Sequence, residues 1–159
     1  MTALHYRSAL DLARLLRARK ISARELLESC LDQYALHNHG LNAVVVTDLG
    51  RARRAAAASD KRLKKGEALG PLDGIPMTAK ESFDWSGTPS TWGSPAYREN
   101  IAAKDATAIT RLTHGGAVLS GKTKVPLMLA GWQTCHDLFG TTTHPVEVTW
   151  SQAAHAGGA

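Results

Sequence analysis

Gly70-Pro71-Leu72-Asp73-Gly74-Ile75-Pro76-Met77-Thr78-Ala79-Lys80 decides the fold class, because it sets a proline, aspartate and glycine turn directly before a short strand entering at Pro76. Downstream, Trp85 to Pro95 reads as a glycine- and serine-rich loop. Asp105 to His114 reads as a helix stopped by Gly115-Gly116, and Ala117-Val118-Leu119-Ser120 as the next strand. Upstream, Ser8 with Asp11 and Ser22 with Glu25 are capping-box starts for two helices, the second expected to end near Leu36 in a His37-Asn38-His39-Gly40 turn. Val44-Val45-Val46 is β-branched and favours a short strand, after which Asp48 caps a third helix. That helix has Ala52, Ala55 to Ala58 and Leu63 as its inner face and ends near Gly66. Helices alternating with short apolar strands predict an α/β sandwich.

Composition agrees with one ordinary globular domain at most. The 159 residues are 43% hydrophobic and 21% charged, which excludes collagen-like, low-complexity and wholly disordered chains. Two cysteines, Cys30 and Cys135, make neither a disulfide framework nor a CxxC start to a zinc site, so a reducing, cytoplasmic setting is expected. No secretion signal or membrane span is legible, since the longest apolar stretch, Val125 to Trp132, is broken by Pro126 and Gly131. Nineteen Lys and Arg against fourteen Asp and Glu leave a net charge of +5. The excess is concentrated at Arg51, Arg53, Arg54, Lys61, Arg62, Lys64 and Lys65, a pattern that suits the solvated face of a helix better than nucleic acid or anionic lipid. No aromatic residue interrupts that cluster to stack on bases, so nucleic acid is not the expected partner.

Several patterns with chemical potential fail on context. Gly116 to Thr123 fits the phosphate-loop pattern GxxxxGK[ST], but a helix precedes it, the intervening residues are strand-like and Pro126 blocks an immediate following helix. Cys135-His136-Asp137 has the residue types of a thiol triad, yet neighbouring side chains point apart, whereas nucleophile and base must meet within roughly 2.6–3.2 Å. A loop cysteine and an exposed histidine are expected instead. His37 and His39 lack a third metal ligand nearby and are expected in an exposed turn.

Lys80 ends the Ile75 to Lys80 strand among apolar neighbours. Desolvation lowers a lysine pKa, which is what a lysine must have to take a proton near neutrality. From the residues alone, a surface lysine pairing with Glu81 or Asp84 is the stronger alternative. From its residues alone, the segment around Leu129, Ala130 and Gly131 reads as ordinary core packing.

The run Gly74-Ile75-Pro76-Met77-Thr78-Ala79-Lys80-Glu81-Ser82-Phe83-Asp84, then Gly121-Lys122-Thr123 with Val125-Pro126, then Phe139-Gly140-Thr141-Thr142, resembles the amidase signature family. The likeness extends over roughly Ser8 to Pro145, including Thr91-Trp92-Gly93-Ser94 and Gly115-Gly116-Ala117-Val118. It implies the N-terminal part of an α/β/α sandwich with a mixed sheet and N-terminal helices, truncated before the sheet is complete. It also implies hydrolysis of a small-molecule carboxamide through a Ser-cisSer-Lys mechanism, with Lys80 as the base, an acyl-enzyme intermediate and no metal or organic cofactor. Leu129 to Gly131 resembles one wall of the family's acyl-binding pocket.

Departures accompany the matches. The family usually has asparagine where Lys124 stands and Asn-Pro at His144-Pro145, and its glycine- and serine-rich block does not follow. Counting on from Pro145, the bridging serine falls near His155 and the nucleophile beyond Ala159, so 146–159 is expected to be a divergent tail and the chain inactive alone. A shift of reading frame near His144 is a hypothesis for this pattern. It fails if neither other frame of the coding DNA yields a GGSSGG-like block. The alternatives are a glutamyl-tRNA amidotransferase A-type subunit fragment and a noncatalytic remnant or binding module, with open strand edges offering a route to a homo-oligomer.

Overall fold

A computed structural model describes residues 3–146. The chain opens with two helices, α1 (Ala9–Arg17) and α2 (Ala23–Leu41). Both begin as their caps dictate. Ser8 Oγ accepts the Asp11 N–H at 3.2 Å and Ser22 Oγ that of Glu25 at 3.0 Å, while Glu25 reaches back to the Ser22 N–H at 3.4 Å. Strand β1 (Val44–Thr47) precedes α3 (Leu49–Lys65), whose Asp48 cap accepts the Arg51 N–H at 2.9 Å and whose end is the left-handed Gly66. There follow β2 (Pro76–Lys80), α4 (Thr107–His114), β3 (Val118–Thr123) and two short strands, β4 (Cys135–His136) and β5 (Gly140–Thr141).

The strands form a three-stranded sheet in the order β1-β3-β2 and a two-stranded β4-β5 ribbon. β1 runs antiparallel to β3, pairing Val46 with Lys122 and Thr47 with Gly121. The Val118 N–H donates to the Ile75 carbonyl and the Glu81 N–H to that of Thr123; these bonds advance together along both chains, so β2 and β3 are parallel. The sheet is therefore mixed, as the family resemblance implies.

Three expectations need correction. Helix α2 does not stop at Leu36 but continues through His37 to Leu41, and the reversal falls at Asn42, with φ of 53°. Strand β3 does not end at Ser120 but runs on to Thr123. The ribbon around Cys135 is not foreshadowed by any local signal, and within it His136 is buried, not exposed. The tail expected over 146–159 lies, beyond Val146, outside the described residues.

The chain divides into two compact units. One comprises residues 3–34, 48–77 and 110–120. Its core is apolar: Leu12, Leu16, Ala23, Leu26, Leu27, Leu31, Ala52, Ala56, Ile75 and Val118. Alanines on the inner face of α3 let the helix come close, and leucines from α1 and α2 fill the space. Its buried charge, Asp73, takes two hydrogen bonds from Arg62, at 2.6 and 3.0 Å, and one from the Leu69 N–H at 2.9 Å. Gly116 has φ of 88°, and a Cβ there would lie 2.6 Å from Asp73, so only glycine closes this corner. On α3, Arg53 bonds Glu28 and Arg51 bonds Asp48, so part of the basic cluster is paired on a solvated helix face.

Candidate functional site

The second unit comprises residues 35–47, 78–109 and 121–146. It is built around polar side chains. Lys122 and Lys124, at alternate positions where β3 ends, are both 0% exposed, and Glu81, next after β2, is equally buried. Each charge is answered by backbone. Glu81 accepts the Thr91 N–H at 2.5 Å and the Trp92 N–H at 2.9 Å. Lys122 Nζ donates to the Pro89 carbonyl and, at 2.8 Å, to Ser90 Oγ. A carboxylate thus grips the amides and an ammonium the oxygens of one four-residue loop, Pro89 to Trp92.

Burial pushes Lys122 down to about 8, against the pull of Glu81 and Asp84, which favour its charged form. Burial takes Lys124 down to about 8 as well; its backbone N–H donates to the Ala43 carbonyl at 2.9 Å. His136 is lowered by burial and then by the charge of Lys124, and its ring meets Phe139 edge-on at 5.7 Å. That ring also fills the space a Cβ would need at Gly93, 2.8 Å away.

Lys80 is the last residue of β2 and half-buried. The Phe83 N–H donates to its carbonyl at 3.0 Å, turning the chain immediately after the strand. Lys80 therefore sits at the carboxyl end of a parallel strand, the end where open α/β sheets hold their ligands. It differs from its two enclosed neighbours in having solvent access. A base must be reached by the group whose proton it takes; Lys122 and Lys124 are closed off.

The other expected site residues fall in a turn. Leu127–Leu129 is a single 3-10 turn followed by Ala130, with Met128 at φ of 50° and Leu129 at 60°. Leu129 is 41% exposed, and Ala130 and Gly131 are exposed too, so the core-packing alternative is overturned. A hollow lies beside them, lined by Ser90, Trp92, Tyr97, Asn100 and Met128, and none of Leu129, Ala130 and Gly131 lines it. Cys135 is exposed and accepts a hydrogen bond from Thr141 Oγ1 at 3.1 Å. His37 and His39 are exposed, on a helix and not in the expected turn. Among the described residues no group of three His, Cys, Asp or Glu side chains is placed to hold a metal ion, and no helix is long and apolar enough to cross a membrane.

Sequence reasoning missed Glu81, Lys122, Ser90 and Trp92. A signal was present: charged residues directly beside or within strands whose other members are apolar or hydroxylated, the arrangement that buries charge when a sheet is covered.

A mixed sheet with helices, and a lysine at one strand's carboxyl end, defines an α/β protein. Comparison with known proteins narrows it. The family model described as Amidase matches residues 25–159. Indoleacetamide hydrolase of Bradyrhizobium diazoefficiens is 39% identical over 152 residues, covering 96% of this chain and 29% of that protein. The A-type subunit of the glutamyl-tRNA(Gln) amidotransferase of Acidothermus cellulolyticus is 35% identical over 158 residues, covering 99% of this chain and 31% of that protein. The crystal structure of a bacterial aryl acylamidase of the amidase signature family superposes with a TM-score of 0.91 at 31% identity, covering 98% of this chain and 33% of that one. The chain belongs to the amidase family, and it spans about a third of the length of these relatives.

Proposed function

We propose that this chain carries the general base of an amide hydrolase acting on small-molecule carboxamides, with Lys80 in that role. In this mechanism the attacking serine passes its proton to a bridging serine and thence to the Lys80 amine as the serine oxygen bonds the amide carbon. The proton returns to the departing nitrogen as the C–N bond breaks, and water then releases the acyl group by the same relay. Both serines belong, in this proposal, to polypeptide other than residues 3–146, and the mechanism calls on no metal or organic cofactor. One observation carries the assignment: of the three lysines gathered at the ends of β2 and β3, Lys80 has the solvent access that proton exchange demands. A cytoplasmic location, and association of copies through the outer strands β1 and β2, belong to the same proposal.

The test is a chimera in which these residues replace the matching segment of the Bradyrhizobium indoleacetamide hydrolase. Ammonia release should survive the exchange and fall by about a hundredfold or more on Lys80→Ala. Turnover indifferent to that substitution refutes the role of Lys80.

The 35% identity to an A-type amidotransferase subunit favours a second assignment, in which the chain serves a multi-subunit complex on tRNA. Copurification with partner proteins and tRNA from its source supports that assignment, and isolation as a solitary polypeptide opposes it.

A further inference from the structure

The hollow beside the Pro89 to Trp92 loop has a volume of about 170 Å³. Its large lining residues are Trp92, Tyr97 and Met128, which are 40%, 48% and 44% exposed. Ser90 and Asn100 complete the lining, and they are bonded to each other and to the fold. Asn100 Nδ2 donates to the Ser90 carbonyl at 2.7 Å, the Ser90 N–H donates to the Asn100 carbonyl at 3.0 Å, and Ser90 Oγ accepts from Lys122. The larger part of the lining is apolar, and its aromatic and sulfur-bearing residues attract the edges and faces of another ring.

The backbone that carries these residues is tied down by hydrogen bonds. Trp92 has φ of 54°, a left-handed backbone that a bulky residue adopts only when its surroundings impose it. Here Glu81 holds its N–H, and the Met128 N–H donates to its carbonyl at 2.7 Å, so two walls of the hollow are tied to each other. Tyr97 is fixed by its N–H on the Ser94 carbonyl at 3.0 Å and by the Asn100 N–H on its own carbonyl at 2.9 Å. Size then selects the guest. An apolar cavity of about 150 Å³ holds one benzene, so this hollow has room for a single aromatic ring.

We propose that this hollow seats the aromatic ring of an arylalkyl carboxamide, with Trp92, Tyr97 and Met128 setting substrate class. The carboxamide part rests on the amidase proposal above; the ring seat does not.

The 159-residue chain labelled with 15N and methyl-13C is titrated with phenylacetamide, hexanamide and acetamide, and NMR shifts are followed. Phenylacetamide should shift the Trp92 indole and Met128 methyl signals and bind at least tenfold more tightly than hexanamide. Trp92→Gly, which keeps the left-handed backbone, and Tyr97→Ala should each weaken it at least tenfold with dispersed spectra retained. Shifts elsewhere, no binding, or equal affinity for hexanamide overturns the seat. The two proposals fail separately. Ring binding at Trp92 beside a chimera whose turnover ignores Lys80→Ala keeps the seat and removes the amidase assignment. Lys80-dependent turnover of hexanamide as fast as phenylacetamide does the reverse.

Discussion

The two units solve burial in opposite ways. In the first, leucines and alanines from α1, α2 and α3 make an apolar core whose one buried acid, Asp73, is closed by a two-pronged arginine. In the second, Glu81, Lys122, Lys124, Thr88, Ser90, Thr91, Thr134, His136 and Thr142 are buried beside few large apolar groups, Trp85 and Val125 among them. Apolar burial is non-directional and makes a fold stable, whereas a buried charge must find its partners in one geometry and so fixes the loop it bonds. The polar unit is the one that contains Lys80 and the Trp92 hollow.

The contrast predicts where substitutions hurt most. Glu81→Ala removes the acceptor of two buried amides and leaves Lys122 without its nearby negative charge, so it should cost about 3–5 kcal/mol in denaturant unfolding. A loss under 1 kcal/mol would mean the loop stands without its clamp. Leu26→Ala in the apolar unit should cost about 3 kcal/mol, as a leucine cavity does, without altering the chemical shifts of Trp92.

Arg62→Ala should cost about 2 kcal/mol at neutral pH, the guanidinium being a quarter exposed. Burial alone would raise the Asp73 carboxyl, but Arg62 and the Leu69 N–H outweigh it and hold it below the usual range. That stability is present above the ordinary aspartate pKa and is lost as the pH falls through the lowered one, so the acid limb of a melting profile should flatten in Arg62→Ala. The polar unit has the opposite limb. Lys122 is lowered to about 8 from 10.5, so between those values the unfolded chain keeps a proton the fold has released, and stability should climb with pH. Lys122→Met should reduce that climb, which is the smallest effect expected here.

Much of the first unit was legible because its signals are local: Ser8, Ser22, Asp48 and Gly66 each mark a helix boundary within a few residues. The second unit hid its logic in distant partners. His37 to Gly40 has turn composition, yet Asn38 stays in the helix, accepting the Val44 N–H at 2.8 Å and donating to the Val44 carbonyl at 2.9 Å. The true turn residue, Asn42, is held by the Phe139 and Thr141 carbonyls almost a hundred residues away. Gly121 looks like a strand breaker but lies inside β3, where a Cβ would meet the Val46 carbonyl at 2.6 Å; it is a close approach of strands and not a bend. The place of Lys80 at the end of β2 was legible from the strand pattern, while the enclosure of Lys122 and Lys124 depends on a loop that composition alone does not place over them.

Lys80 as the base is tested most directly by comparing kcat and Tm for Lys80→Ala and Leu26→Ala in the hydrolase chimera. Lys80→Ala should drop kcat by about a hundredfold or more with Tm nearly unchanged, and Leu26→Ala should lower Tm while kcat per folded molecule holds. A Lys80→Ala enzyme that keeps its kcat, or that loses it only by unfolding, is incompatible with that role.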